Sequence, residues 1–215
     1  MVTYVSKCET LGRLGAFKVC GRENYVMIQE VLITSVDTEG RSHIAPMGIH
    51  MEQGLFVIMP FKPSVTLDNI VSSGSAVINY CDDVRIFAGC LSGRRQWNLI
   101  KTEHVNGYYL EAALAHTELV LDTYIDDPLR PKLLCKVVKS FNHRPFQGFN
   151  RAQFAVIEAA ILVSRLGRLS WDKIDSELAY LRIGLDKTAG DHEREAWDWL
   201  MQIIEDFRGR ERTHD

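Results

Sequence analysis

The hydrophobic period of this 215-residue chain changes near residue 150. Before that point, apolar and β-branched residues come in short runs cut by turn signatures. After it, they recur at three- and four-residue spacing. A period of two belongs to strands and one of 3.6 to helices, so the change divides the fold before any motif is considered. Tyr25 to Val36 is rich in β-branched residues and ends in the turn sequence Asp37-Thr-Glu-Gly40. Ser42 to Met51 reads as a second strand, and Glu52-Gln-Gly54 turns it into a third, Leu55 to Met59. Ser75 to Tyr80 is a further short strand, and Tyr108 to Ile125 is one long strand or two. Leu133 to Phe141 follows the turn Asp126-Asp-Pro128. Six or so strands with short turns predict an antiparallel barrel, closed or nearly so. One helix is expected within this half, at Ser64 to Ser72.

Past Asn150 the pattern predicts three helices. Ala152 to Leu166 is apolar around most of its circumference, which fits a buried helix. Ser170 is placed to cap a second, with Trp171, Ile174, Leu178, Leu181 and Leu185 in one stripe. Gly190 ends that element, and Asp191 opens a third with Trp197, Leu200, Ile204 and Phe207 facing inward. The expected architecture is a β-barrel plus α (α+β): a barrel domain over residues 1–148 and a helical domain over residues 149–215.

Composition excludes more than it assigns. Hydrophobic residues make up 46% of the chain and charged residues 25%, ordinary values for a globular domain. A net charge of −3 offers no basic surface for nucleic acid. The basic fragment Arg208-Gly-Arg210 is balanced by Glu211 and Asp215. The longest apolar stretch, around Ala159 to Val163, is interrupted by Glu158 and Arg165, too soon to span a bilayer. Cys8, Cys20, Cys81, Cys90 and Cys135 are odd in number and form no Cys-x-x-Cys, and no His stands at zinc-ligand spacing from them. Reduced structural thiols, no metal site and a cytoplasmic setting are the expectations, the last helped by the lack of a signal-peptide core.

The stretch FKPSVTLDNI, residues 61–70, carries two readings. In one, Ser64 simply caps a helix, Thr66 faces backbone and Asn69 is exposed. In the other, the same helix start is an anion site. Its free N–H groups and partial positive charge suit a phosphate, the Ser64 and Thr66 hydroxyls can donate to it, and Lys62 adds a full charge. Asn69 lies one turn beyond Thr66. Upstream, Ser42-His-Ile-Ala-Pro-Met-Gly-Ile-His50 puts Pro46 and Gly48 inside a strand. Such residues belong at an edge or bulge, or where something approaches the backbone. A flat ring lying on Ala45 to Gly48 is the functional version.

Together, Ala45-Pro-Met-Gly48, the hairpin, Lys62-Pro-Ser-x-Thr-x-x-Asn-Ile70 and a strand ending in Ile78-Asn79 resemble the FMN-binding split barrel of flavin reductases and pyridoxamine-phosphate oxidases. The run Phe149-Asn-Arg-Ala-Gln-Phe-Ala-Val-Ile-Glu-Ala-Ala160, with Ser164-Arg-Leu166 after it, resembles domain of unknown function family 447. The resemblance implies a six-stranded antiparallel split barrel with a C-terminal three-helix segment, FMN as cofactor, and a homodimer with a site at each end of its interface. By position it implies that Ser64, Thr66 and Asn69, helped by Lys62, hold the phosphate and ribityl end. Ala45, Pro46, Met47 and Gly48 line the ring, and Asn79 is a further site residue. Nothing matches the substrate residues of the pyridoxamine-phosphate oxidases, so that activity is not expected.

Other residues carry weaker signals. Arg151, Glu158 and Arg165 are seven apart and share a helical stripe, which suggests either a structural ion pair about a half-buried Glu158 or an Arg151 that reaches the flavin phosphate. His43 and His50 flank the Ala-Pro-Met-Gly segment. Asp82-Asp83 reads as a turn, Arg94-Arg-Gln-Trp97 as a loop or a lid over a phosphate-bearing substrate, and Lys187-Thr-Ala-Gly190 as a helix end rather than a phosphate loop. The functional expectation is an FMN-dependent, flavin reductase-like oxidoreductase. Family context ties it to tetrahydromethanopterin-linked one-carbon metabolism. The alternatives are a non-catalytic flavin-binding or assembly module and a flavin-free scaffold. No catalytic residue is singled out, because flavin itself accepts the hydride.

Overall fold

The structure is a computed structural model that describes residues 16–19 and 22–212. Cys8 and Cys20 lie outside the described residues. A hairpin of β1 (Ala16–Val19) and β2 (Arg22–Tyr25) comes first. Then follow β3 (Gln29–Val36), β4 (Ser42–Glu52), β5 (Leu55–Ile58), α1 (Val65–Ser73), β6 (Ser75–Tyr80) and α2 (Val84–Leu91). A second small hairpin, β7 (Leu99–Lys101) and β8 (Tyr108–Leu110), leads to the long strands β9 (Ala115–Ile125) and β10 (Lys132–Asn142). Three helices close the chain: α3 (Arg151–Val163), α4 (Trp171–Thr188) and α5 (Asp191–Arg212).

Six strands make a closed antiparallel barrel in the order β10-β5-β4-β3-β6-β9. Val31, Ile33, Ile49, Ile58, Ile78, Leu119 and Leu133 fill it. The β4–β5 turn uses Gln53 and Gly54, both at positive φ, a geometry whose twist matches the flanking strands. Leu67 and Ile70 of α1 join the same core, so one face of this helix packs onto the barrel. Its start is set by Ser64, whose Oγ accepts the Leu67 N–H at 3.2 Å, and its end by Gly74 in the left-handed region.

The sequence pattern does not reveal α2, which joins the two halves. Ile86 and Phe87 cover the outer face of the barrel beside Leu32 and Ile44. Val84 and Ala88, on its other side, belong to the core of the C-terminal helices with Ala155, Ala159, Leu181, Trp197 and Leu200. A short helix apolar on opposite sides shows neither a clean helical stripe nor strand alternation. Cys81, Cys90 and Cys135 are free, and burial pushes their thiols up to about 12, 11 and 12. Glu158 is half-buried as expected, but among the described residues no ion pair joins it to Arg151 or Arg165. It instead raises the carboxyl of Glu30, after burial the second cause of that shift. No helix among the described residues is long and apolar enough to cross a membrane.

Candidate functional site

The open end of α1 follows directly from its sequence. Its backbone ladder begins with the Asp68 N–H on the Ser64 carbonyl at 3.1 Å, and Ser64 Oγ takes the Leu67 N–H. The N–H groups of Val65 and Thr66 precede that ladder. The Ser64 oxygen acts as acceptor in the cap, which leaves its O–H as a donor. Thr66 occupies the second helical position and is 1% exposed, and its Oγ1 has no hydrogen-bond partner. A buried hydroxyl left unpaired costs about 1–3 kcal/mol, so an orphan at a helix N-terminus marks a place where an acceptor would be stabilising.

Around this end, Lys62 and Asn69 meet partners that the sequence did not associate with it. Lys62 Nζ pairs with Asp126 Oδ1 at 2.6 Å, and the Lys62 N–H donates to the Leu129 carbonyl. The Arg130 guanidinium lies over the Phe61 ring at 4.8 Å and donates to the Met59 carbonyl at 3.2 Å. Asp126 and Arg130 belong to the turn between β9 and β10, some sixty residues from α1, and no local pattern could join them. Asn69 is buried, and its Nδ2 donates to Ser35 Oγ of β3 at 3.1 Å. Ser35 pairs in register with His43 of β4, whose Nδ1 lies 3.5 Å from Arg95 Nη1. Burial, then Arg95, pulls the His43 imidazole below its usual range.

Residues 45–48 do not present one surface. Met47 packs on the barrel core with Val31, Ile33 and Ile49, and by strand alternation Ala45 shares that inward side. Pro46 and Gly48 turn outward and line a groove of about 190 Å³ against Phe87 of α2 and Ile157 and Ala160 of α3. A Cβ at Gly48 would meet Ile28 Cγ2 at 2.9 Å and Glu30 Oε1 at 3.3 Å. The protein's own side chains therefore cover the backbone at that point.

Family models for the N-terminal domain of the protein of unknown function DUF447, and for DUF447 itself, match residues 29–144 and 150–202. The chain belongs to the DUF447 family. Among solved structures, an FMN-bound DUF447 protein of Methanosarcina mazei superposes with a TM-score of 0.71 at 17% identity, over 82% of this chain and 94% of that one. At this identity the likeness establishes the fold: a split barrel with C-terminal helices. Nitrilotriacetate monooxygenase component B of Bacillus cereus matches at a TM-score of 0.47 and 19% identity, over 54% of this chain and 70% of its own. A flavoredoxin of Methanosarcina acetivorans matches at 0.47 and 12%, over 54% and 69%. No curated protein matches in sequence.

In this DUF447 chain Asn79 is bonded between strands and Arg151 lies on the helical side. Asn79 is fully buried. Its Nδ2 donates to the Leu32 carbonyl and Thr34 Oγ1, each at 3.1 Å, and its Oδ1 accepts the Leu110 N–H at 2.7 Å. Those bonds tie β6 to β3 and β8. Arg151 opens α3 and lines a groove with Phe154, Tyr180 and Gly184 of the α3–α4 face. A cavity of about 620 Å³ lies elsewhere again, between the start of α2, Trp97 and Leu110 on one side and Arg144 and His192 on the other. Asp83, read as a turn residue, caps α2 through the Arg85 N–H and pairs with the Arg85 side chain at 2.7 Å. The arginines of the segment 94–97 are engaged by the protein: Arg94 lies over the Trp199 ring at 4.3 Å and Arg95 meets His43.

Proposed function

We propose that this protein binds FMN with the phosphate at the open end of α1, and that it acts as a flavin reductase-like oxidoreductase, working as a cytoplasmic homodimer. The observation that carries this reading is the unpaired, buried Thr66 hydroxyl at the second position of a capped helix. Ser64 and Thr66 would donate to phosphate oxygens together with the N–H groups of Val65 and Thr66. Lys62 would supply charge once Asp126 yields it. The outward groove at Pro46 and Gly48 is apolar apart from Glu30 and Ser164, as a cofactor's flat ring requires. When bound, the flavin supplies the hydride-accepting ring, and this chain's part is to hold and orient it. The FMN-bound state of the Methanosarcina mazei relative supports the cofactor. The family resemblance adds a pterin of the tetrahydromethanopterin kind to the reductants worth testing beside NADH and NADPH.

A flavin-free scaffold is favoured by one observation: Ile28 sits over Gly48 where the ring would lie. The visible spectrum of the purified protein, before and after added FMN, separates the two. Bound flavin in the wild type and its loss in a folded Thr66→Ala variant are expected. Normal FMN affinity in that variant would remove the phosphate role assigned to the hydroxyl, and a wild type that takes up no FMN would leave the scaffold. Oxidation of a reduced nicotinamide or pterin then distinguishes an enzyme from a flavin-binding or assembly module. Light scattering on the eluting protein tests the dimer.

A further inference from the structure

We propose that Glu118, His116 and His143 form a proton-storing clip that fastens the end of β10 to the barrel and opens on acidification. His116 and Glu118 stand two apart on β9 and are 3% and 0% exposed. Glu118 accepts the N–H groups of Glu103, His104 and Val105 at 3.2, 2.8 and 2.9 Å, so the β7–β8 turn wraps its carboxylate. Its Oε1 lies 3.5 Å from His116 Nε2, and His116 Nδ1 lies 2.8 Å from Nε2 of the exposed His143. Tyr109 is stacked on both imidazoles, at 4.1 and 4.8 Å, and Phe141 on His116 at 4.8 Å.

The proton count sets the behaviour. A bond between two imidazole nitrogens needs one N–H and one lone pair. The neutral pair has both. A pair with one added proton also has both, and Glu118 offsets its charge. A second added proton sets N–H against N–H, and the bond is lost. The titratable and charged groups facing the pair are Glu118 on β9, Glu103 and His104 on the β7–β8 turn, and Tyr109 on β8. Lys139 of β10 stands opposite Glu118. Burial, as the largest cause, pulls His116 below its usual range, which places the opening on the acid side of ordinary histidine titration. The part released is the segment 143–149 between barrel and helices, now held by the His143 and Arg144 N–H groups on the Leu114 carbonyl. It carries the fully exposed Phe149.

Amide hydrogen exchange at about pH 7.5 and about pH 5, corrected for intrinsic rates, tests this. Residues 141–149 should lose protection on the order of tenfold at the lower pH while β3 keeps its own. In His143→Gln the carboxamide can still donate to His116 Nδ1 but does not titrate, so protection should stay high at both pH values. Equal protection of the wild type at both pH values would overturn the proposal. So would loss of β3 in step, or a His143→Gln variant with the wild-type pH response. Independent of any variant, the His116 ring protons should respond to pH in two steps by NMR, because the contact at Nδ1 couples its proton to a second one. A single-step curve would equally overturn it.

Discussion

Lys62 Nζ lies 2.6 Å from Asp126 Oδ1, and the same carboxylate oxygen accepts the Tyr124 hydroxyl at 2.6 Å. The ammonium beside α1 is thus neutralised in place. Hydrogen bonding from Lys62, then from Tyr124, holds the Asp126 carboxyl below its usual range, and the same pair raises Lys62. A phosphate arriving at α1 competes with Asp126 for that charge. Asp126→Asn should therefore tighten FMN binding a few-fold at low salt, the scale of an exposed ion pair, and the gain should fade as salt is raised. Lys62→Met should do the reverse. Flavin fluorescence titrations read both, and an unchanged or weaker affinity in Asp126→Asn would place the ammonium away from the phosphate.

Thr66→Val separates stability from binding. Val keeps the shape and deletes a hydroxyl that has no partner. The flavin-free protein should become more stable by about 1 kcal/mol, because the desolvation cost of the orphan disappears. FMN binding should weaken about tenfold or more, the value of a charge-assisted hydrogen bond. Urea unfolding of the flavin-free protein and a binding titration give the two numbers. A destabilised variant would mean that the hydroxyl already has a partner.

Most of the barrel is legible in the sequence because alternation and turn chemistry are local. The strand from Ser42 to Met51, which the structure carries on to Glu52, the turn at Glu52-Gln-Gly54 and Ser75 to Tyr80 follow from pattern alone. So do the Ser64 and Ser170 caps, each confirmed by a hydroxyl on the third N–H of its helix. What is not legible is set by distant partners. Asn79 looks like the end of a motif, but its bonds to Leu32, Thr34 and Leu110 arise only when three strands meet. Val84 to Leu91 hides as a helix because it is buried on two sides. The two imidazoles of His116 and His143 are 27 residues apart, and β9–β10 pairing alone brings them together.

Asn79→Ala tests that reading of the buried amide. It leaves the Leu110 N–H without its acceptor in a closed interior. A loss of about 2–4 kcal/mol is expected, with FMN affinity per folded molecule unchanged. Chemical denaturation monitored beside flavin titration decides between the roles. A variant of near-normal stability that fails to bind FMN would place Asn79 in the site.

Acid should weaken the fold before any carboxylate partner is lost. Burial lowers His43, His50 and His116 from an unfolded value of 6.5. Below that value the unfolded chain takes up protons that the native protein does not. The stability these residues contribute is complete above 6.5 and is lost as the pH falls through it toward their native values. Glu30 has the opposite sign. Burial, then Glu158, raises its carboxyl above 4.5, so its contribution is present at low pH and lost as pH rises through the native value. Urea midpoints should therefore fall between about pH 7.5 and about pH 5.5, and Glu30→Gln should be more stable than wild type at neutral pH. A flat profile, or a destabilised Glu30→Gln, would contradict the burial of these groups.

The wall of the cavity beside Trp97 depends on one glycine. A Cβ at Gly89 would come within 2.8 Å of Trp97 Cζ2 and 3.0 Å of the Arg94 carbonyl. That carbonyl accepts the Trp97 indole N–H at 3.1 Å, and the Arg94 N–H donates to the Gly89 carbonyl at 2.9 Å. The indole thus lies directly on α2, and the loop before β7 is folded back on the helix by a contact that no larger residue allows. In Gly89→Ala the ring must leave α2 or the helix must shift, at a cost of about 1–3 kcal/mol. Displacement of Trp97 toward solvent should shift its emission to the red, a change absent in a Trp97→Phe, Gly89→Ala double variant. The cavity mouth moves with the ring, so accessibility of Trp97 to a neutral quencher should rise as well. An alanine variant with wild-type stability and emission would show that the indole does not rest on this helix.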